Sequence, residues 1–345
     1  MRSIRTIHVV SAHAEGEVGD VIVGGVEPPP GDTLREQAEF LARDRRLWTF
    51  LLNEPRGGVF RHVNLLVPAK HPDARMGFVI MEPEDLPPMS GSNTICVATV
   101  LLETGIVAMQ EPETTFILEA PGGLVRIRAA CRDGRAQSIA LENLPSFAVR
   151  TDIRLEVPGI GCLTVDTAFG GDSFVVVDAS ELELSIAASE AGRLASCGMR
   201  ILEAANDRIG FRHPEMAERD RLSFCLLAES LDRVEGVLES RQAVAIRPGK
   251  IDRSPTGTAV SARMALLHAR GIMKTGDIFR ARSIIGSRFD GRIVRTTRVG
   301  SIPAIIPEVT GRAWITGIHQ HLLDPDDPWP EGYRLGDTWG HPASG

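Results

Sequence analysis

The sequence predicts an α+β fold of two similar domains, each a strand-rich unit wrapped around a central helix, and three observations carry that prediction. Helical spacing of apolar residues is confined to a few stretches, whereas Val- and Ile-rich runs of strand length, bounded by Gly, Pro, Asp or Asn, recur along the chain without regular βα alternation. Two segments, SGSNTICVATVLLETGIV from Ser90 and TGTAVSARMALLHARGIM from Thr256, align without a gap over 18 positions. Each is followed by a strand, a turn and a strand opened by Gly, in TTFILEAPGGLVRI and DIFRARSIIGSRFDGRIV. At 345 residues the chain is long enough for two cores. The expected domains are 1–150 and 151–312, with the segment 313–345 packing back on the first.

The elements follow from their end signals. Helices are expected at Thr33–Arg46, Ser185–Arg208, Ser92–Thr104 and Thr258–Arg270. The last two begin at Ser or Thr, the usual N-cap types, and stop at Gly105 and Gly271, where a left-handed cap is easy. Ser92 reads as a cap. The expected strands are VNLLVPA, MGFVIM, TTFILEA, GLVRIRAA, DSFVVVD, SFCLLAE, DIFRARSIIG, RIVRTTRV and RAWITGI, with another near His8 and His13. GGVEPPPGD and the tail DPDDPWPEGYRLGDTWGHPASG have loop composition.

Composition narrows the function. A formal charge of -7 with no basic run argues against nucleic acid or an anionic membrane as partner. No window approaches a membrane span and the N-terminus lacks a signal-peptide core, so a cytoplasmic protein is expected. The five cysteines, Cys96, Cys131, Cys162, Cys197 and Cys225, form no Cys-x-x-Cys pair and read as small core residues. Among nine histidines the closest pair, His319 and His321, has no further ligand at metal spacing. No nicotinamide, flavin or pyridoxal phosphate motif is present, and the Gly-Gly of AFGGD is too short for a dinucleotide fingerprint. The expectation is a chain without metal or cofactor. A homodimer is compatible with the sequence.

The chemistry is written at the two helix starts. The first helix is apolar almost all round, so only its N-terminus can meet a ligand. There the unpaired N–H groups and the helix dipole favour an anion, and Gly91 and Gly257 permit close approach of the backbone. If both motifs meet one molecule, Ser90 and Thr256 flank it as acid/base groups, and Asp252 can hold an ammonium. The substrate so described is a small zwitterionic imino or amino acid. The plainer alternative is that Ser90 and Thr256 only cap their helices and Asp252 only shapes a turn.

At these residues the sequence resembles the proline racemase family, which includes hydroxyproline epimerases and trans-3-hydroxy-L-proline dehydratases. EGEVGDVIVGG, NEPRGG, MSGSNT, DTAFGGDSFVVVD, KIDRSPTGTAVSARMALL, GSRFDGRIV and GRAWITGIHQHLLDPDDPW stand in family order, and DRSPTGT is the most specific. The resemblance implies a diaminopimelate-epimerase-like fold with the substrate in the cleft between two domains. Racemases and epimerases of the family have Cys-Gly-His in the first motif and a cysteine within Asp-Arg-Ser-Pro-Cys-Gly-Thr in the second. Here Ser90, Ser92 and Thr256 replace the first cysteine, the histidine and the second cysteine, and EPRGH becomes EPRGG from Glu54.

Within the family, Thr at the second position resembles the dehydratase pattern. The expected activity is therefore loss of water from trans-3-hydroxy-L-proline to give Δ1-pyrroline-2-carboxylate. In this reading Ser90 accepts the α-proton and Thr256 is the non-essential group of the opposite face. Gly91, Ser92, Gly257 and Thr258 bind the carboxylate, and Asp252 binds the ring nitrogen. The alternatives are a 4-hydroxyproline 2-epimerase or proline racemase, and a non-catalytic imino-acid-binding protein.

Overall fold

A computed structural model describes residue 3, residues 5–217 and residues 219–339. The last six residues of the loop-like tail lie outside the described residues. The chain divides into two compact units, Met1–Leu141 with Arg312–Gly345, and Glu142–Gly311.

The first unit is a chain of paired strands. Arg5–Ala14 pairs antiparallel with both Ala313–Leu323 and Asp20–Gly24. From Asp20–Gly24 the pairing runs parallel to Val63–Val67, antiparallel to Met76–Met81, parallel to Glu113–Ala120 and antiparallel to Gly123–Arg132. The helices that connect these strands are α1 (Leu34–Arg43), α2 (Arg46–Leu52) and α3 (Gly91–Glu103). The capping box of α1 is complete, with the Thr33 hydroxyl accepting from Glu36 N and the Glu36 carboxylate from Thr33 N.

The helix expected over Thr33–Arg46 is α1, which stops at Arg43, and a second helix, α2, begins at Arg46. Asp44 is non-helical at φ -97, ψ 86, and its carboxylate accepts from the backbone and guanidinium of Arg46, ending α1 and starting α2. α2 then buries Leu47, Trp48, Phe50, Leu51 and Leu52 against the strands.

The second unit repeats the pairing order. Gly161–Phe169 runs antiparallel to Ser173–Asp178, which runs parallel to Phe224–Ala228. Phe224–Ala228 is antiparallel to Val237–Ile246, that strand is parallel to Ile278–Arg282, and the last is antiparallel to Arg288–Val299. Both units thus follow the sequence antiparallel, parallel, antiparallel, parallel, antiparallel. The parallel steps require crossovers, and helices supply them: α4 (Ala191–Arg208) and α5 (Gly257–Ala269) in the second unit, α1 with α2 and then α3 in the first. The helix expected from Ser185 begins as an α-helix only at Ala191, after a 3-10 turn at Ala188–Glu190.

α3 and α5 occupy the same place in the repeat and have 13 residues each. Every residue of α3 from Gly91 to Leu102 is buried, and burial of each large apolar side chain is worth roughly 1.5–3 kcal/mol. In both helices the C-cap residue is followed by a positive-φ glycine, Gly105 at 77° and Gly271 at 72°. Among the described residues no helix is long and apolar enough to cross a membrane, and no group of three or more His, Cys, Asp or Glu is placed to hold a metal ion.

α4 lies so close to its sheet that a Cβ on Gly198 would sit 2.4 Å from the Ala245 methyl. Gly198→Ala gains about 1 kcal/mol of helix propensity, but overpacking costs about 1–3 kcal/mol. Net destabilisation of about 1 kcal/mol in a denaturant titration is expected, and a stabilised variant would contradict this packing.

Candidate active site

Ser90 is the N-cap residue of α3, two residues before the cap expected at Ser92, which lies inside the first turn. Its backbone is extended at φ -144, ψ 124, and its carbonyl accepts from Thr94 N at 3.0 Å and Thr94 Oγ1 at 2.7 Å. Its hydroxyl makes no hydrogen bond to the helix backbone. Instead Ser90 Oγ accepts from Asn93 Nδ2 at 2.9 Å and lies 3.5 Å from Ser92 Oγ. The plain capping alternative therefore fails for Ser90. The amides of Gly91, Ser92 and Asn93 occupy the turn in which an α-helix has no carbonyl of its own to offer them.

A buried polar network fixes the Asn93 amide. Asn64 Nδ2 donates to Asn93 Oδ1 at 2.8 Å, and His62 Nδ1 lies 3.3 Å from Asn93 Nδ2. Behind His62 stand Glu17 and Glu82, and Asp20 is ion-paired with Arg61. Gly19 admits this arrangement, since a Cβ there would come within 2.8 Å of Cys96 Sγ and 3.1 Å of Asn93 Oδ1.

Thr256 is the N-cap residue of α5, and its hydroxyl too leaves the helix backbone alone. It donates to Asp252 Oδ2. The backbone of Thr256 is at φ 58, ψ 101, a region that costs a β-branched residue on the order of 1–3 kcal/mol. The loop holds it there: Thr256 N donates to Ser254 Oγ at 3.1 Å, while Asp252 Oδ1 accepts from Ser254 N at 3.0 Å and from its hydroxyl at 3.2 Å. Asp252 is buried and anchored through its own N–H to Val244 O at 2.9 Å. Asp252, expected from the sequence to hold a ligand's ammonium, also orients Thr256.

The Gly-Gly of AFGGD serves the same helix. A Cβ on Gly170 would fall 2.1 Å from Thr258 O, and one on Gly171, at φ +100, would lie 3.0 Å from Thr258 Cγ2. Asn143 ties the two segments, donating to Gly170 O at 2.7 Å and to Ser261 Oγ at 2.8 Å. Thr258 and Gly257 are thus held in a first turn packed by glycine. Asn93, Asn64, His62 and Asn143 were missed by sequence reasoning, because single polar residues in apolar surroundings carry no local signal.

None of the cysteines is placed at either helix start. Cys96 faces into the core from α3, and burial first, then the charges of Asp20 and Glu17, push its thiol well up. Burial does the same to Cys225, while Cys162 is exposed.

Two duplicated units, each presenting a hydroxyl that does not cap its helix, place the chain among folds of the epimerase type. A phenazine biosynthesis protein of the PhzF family from Bacillus anthracis shares the fold, with TM-score 0.58 at 12% identity over 93% of this chain and 100% of its own. A hydroxyproline epimerase from Agrobacterium vitis, solved with trans-4-hydroxy-L-proline bound, superposes at TM-score 0.93 and 41% identity, covering 99% of this chain and 98% of its own. A probable proline racemase from Agrobacterium radiobacter, with bound carbonate, does so at 0.92 and 41%, over 97% of this chain and 98% of its own. The family model described as proline racemase matches residues 9–334. The chain belongs to the proline racemase family, whose members are enzymes acting on imino acids.

Thiol labelling of the native protein is expected to modify Cys162 fast and Cys96 and Cys225 only on unfolding, because the buried thiols are held neutral. Rapid labelling of Cys96 without unfolding, read by peptide mass spectrometry, would contradict the placement.

Proposed function

We propose that the chain is a trans-3-hydroxy-L-proline dehydratase that works without a cofactor. The observation that carries this reading is the unlike disposition of the two hydroxyls. Ser90 Oγ receives a hydrogen bond from Asn93, whereas Thr256 gives its hydrogen to Asp252. A donor aimed at Ser90 Oγ, together with the N-terminus of α3, lowers the cost of negative charge on that oxygen. Ser90 is therefore the base of the pair.

The stereochemistry of the substrate needs only one base. In trans-3-hydroxy-L-proline the hydroxyl is trans to the carboxylate, so the α-hydrogen and the C3 hydroxyl share a face of the ring. Ser90 Oγ, in its alkoxide form, takes the α-proton, the Cα electrons form the Cα–C3 double bond, and the C–O bond breaks; passing that proton to the departing hydroxide regenerates the alkoxide. The proton now on Ser90 stands on the face of the departing oxygen and leaves with it as water. The enamine product tautomerises to Δ1-pyrroline-2-carboxylate. Amides at Gly91, Ser92, Gly257 and Thr258 hold the carboxylate as charge develops on it, and Asp252 holds the ring nitrogen.

A second reading, a 4-hydroxyproline 2-epimerase or proline racemase, is favoured by one contact. The hydrogen bond from Thr256 to Asp252 is also how a carboxylate would draw a proton from a hydroxyl and make it a base. The two demands on Asp252 conflict, however. A carboxylate that neutralises a ring ammonium is stabilised in its charged form and is a poor proton acceptor. Loss of both thiols weighs the same way, since a threonine hydroxyl titrates far from neutrality.

Incubation with trans-3-hydroxy-L-proline and an imine-detecting reagent is expected to give product. Ser90→Ala is expected to lower kcat/KM by about 1000-fold or more while the fold persists, and Thr256→Ala by about tenfold or less. Equal losses would show that both faces take part.

A further inference from the structure

A group of buried polar side chains stands behind Ser90 and has no part in the reaction as written. His62 lies between two buried carboxylates, with Nε2 3.4 Å from Glu17 Oε1 and Nδ1 3.5 Å from Glu82 Oε1. His62 Nδ1 is also 3.3 Å from Asn93 Nδ2, the nitrogen that donates to Ser90 Oγ at 2.9 Å. On the other side, Asn64 Nδ2 donates to Asn93 Oδ1 at 2.8 Å and to Asp20 O at 3.1 Å. With its oxygen engaged there, Asn93 turns both amide hydrogens toward the side where Ser90 and His62 lie.

One hydrogen goes to Ser90 Oγ, and the other needs an acceptor. His62 Nδ1 can accept only when it carries no proton, which leaves the imidazole hydrogen on Nε2, facing Glu17. An imidazolium would place a hydrogen on Nδ1 against the amide hydrogen, and Asn93 would lose the partner that sets its rotation. The other charged groups close to this network are Glu82 and the Asp20–Arg61 pair.

We propose that His62 is a positioning residue for Ser90: with Nδ1 unprotonated it accepts the second amide hydrogen of Asn93 and holds that amide in the rotation that donates to Ser90 Oγ. The inference rests on Ser90 as the proton acceptor. Because the Asn93 bond is made to the base and not to the ligand, its loss falls on kcat and spares KM.

The test combines side-chain 15N NMR of histidine-labelled protein with kinetics on trans-3-hydroxy-L-proline. His62 is expected as the neutral tautomer protonated on Nε2. His62→Leu is expected to lower kcat by about 10- to 100-fold with KM within about threefold, the effect of one hydrogen bond to a charged or nearly charged atom. His62→Asn, whose amide oxygen can stand near the Nδ1 position, is expected to recover kcat to within about threefold of the native enzyme. Should His62→Leu fail to fold, Asn93→Ala reads the same bond from its other end with the same expected loss. A proton on Nδ1, an unchanged kcat in His62→Leu, or equal losses in the Leu and Asn variants would overturn the proposal. Ser90→Ala separates the two claims. If it is inactive while His62→Leu is not, Ser90 stands and the role of His62 falls; activity surviving in Ser90→Ala overturns both.

Discussion

A helix enclosed on every side has one place left where its backbone can meet a polar molecule, the first turn, whose amides have no carbonyl of their own. α3 is such a helix, buried from Gly91 to Leu102, and α5 is nearly one. Enclosure is what the strands around each helix accomplish, and what the apolar sequence of each helix requires. The hydroxyl at each helix start then decides how the first turn is used. Were Ser90 and Thr256 ordinary caps, their oxygens would satisfy those amides and the turns would be closed. In both units the hydroxyl bonds instead to a side chain, Asn93 in one and Asp252 in the other.

These partners make the duplicated motifs chemically unequal. Asn93 is a neutral donor whose rotation is held by Asn64 and His62, and a donor favours charge on the oxygen it meets. Asp252 is an acceptor tied to its own loop through Ser254, and it keeps a β-branched residue at positive φ. Backbone strain of that kind persists only where the surroundings enforce it. The two units thus share a scaffold while their helix starts differ.

Much of the fold was legible because its signals are local. The hydroxyl-Gly-hydroxyl starts and the glycines after each helix located α3 and α5 to within a residue, and the gapless repeat foreshadowed the common order of strand pairing. Strands such as Phe147–Val157 and Val237–Ile246 escaped notice because charged residues interrupt them, in FAVRTDIRLEV and VLESRQAVAI. Only pairing with neighbours identifies those segments as strands. α2 was hidden by the apolar run LWTFLL, which has no polar face to give a helical period. The polar network around Asn93 and His62 was illegible for a different reason: Glu17, His62, Asn64, Glu82 and Asn93 come from separate segments and acquire meaning only when folded together.

The central claim is that one face of the substrate is worked on, from Ser90. Proton NMR in deuterium oxide, with trans-3-hydroxy-L-proline and trans-4-hydroxy-L-proline supplied in turn, tests it most directly. The account predicts disappearance of the C3 hydroxyl-bearing substrate into the cyclic imine, and no inversion at Cα of the 4-hydroxy isomer. Deuterium entering Cα of the 4-hydroxy isomer with inversion, while the 3-hydroxy isomer persists, would contradict it.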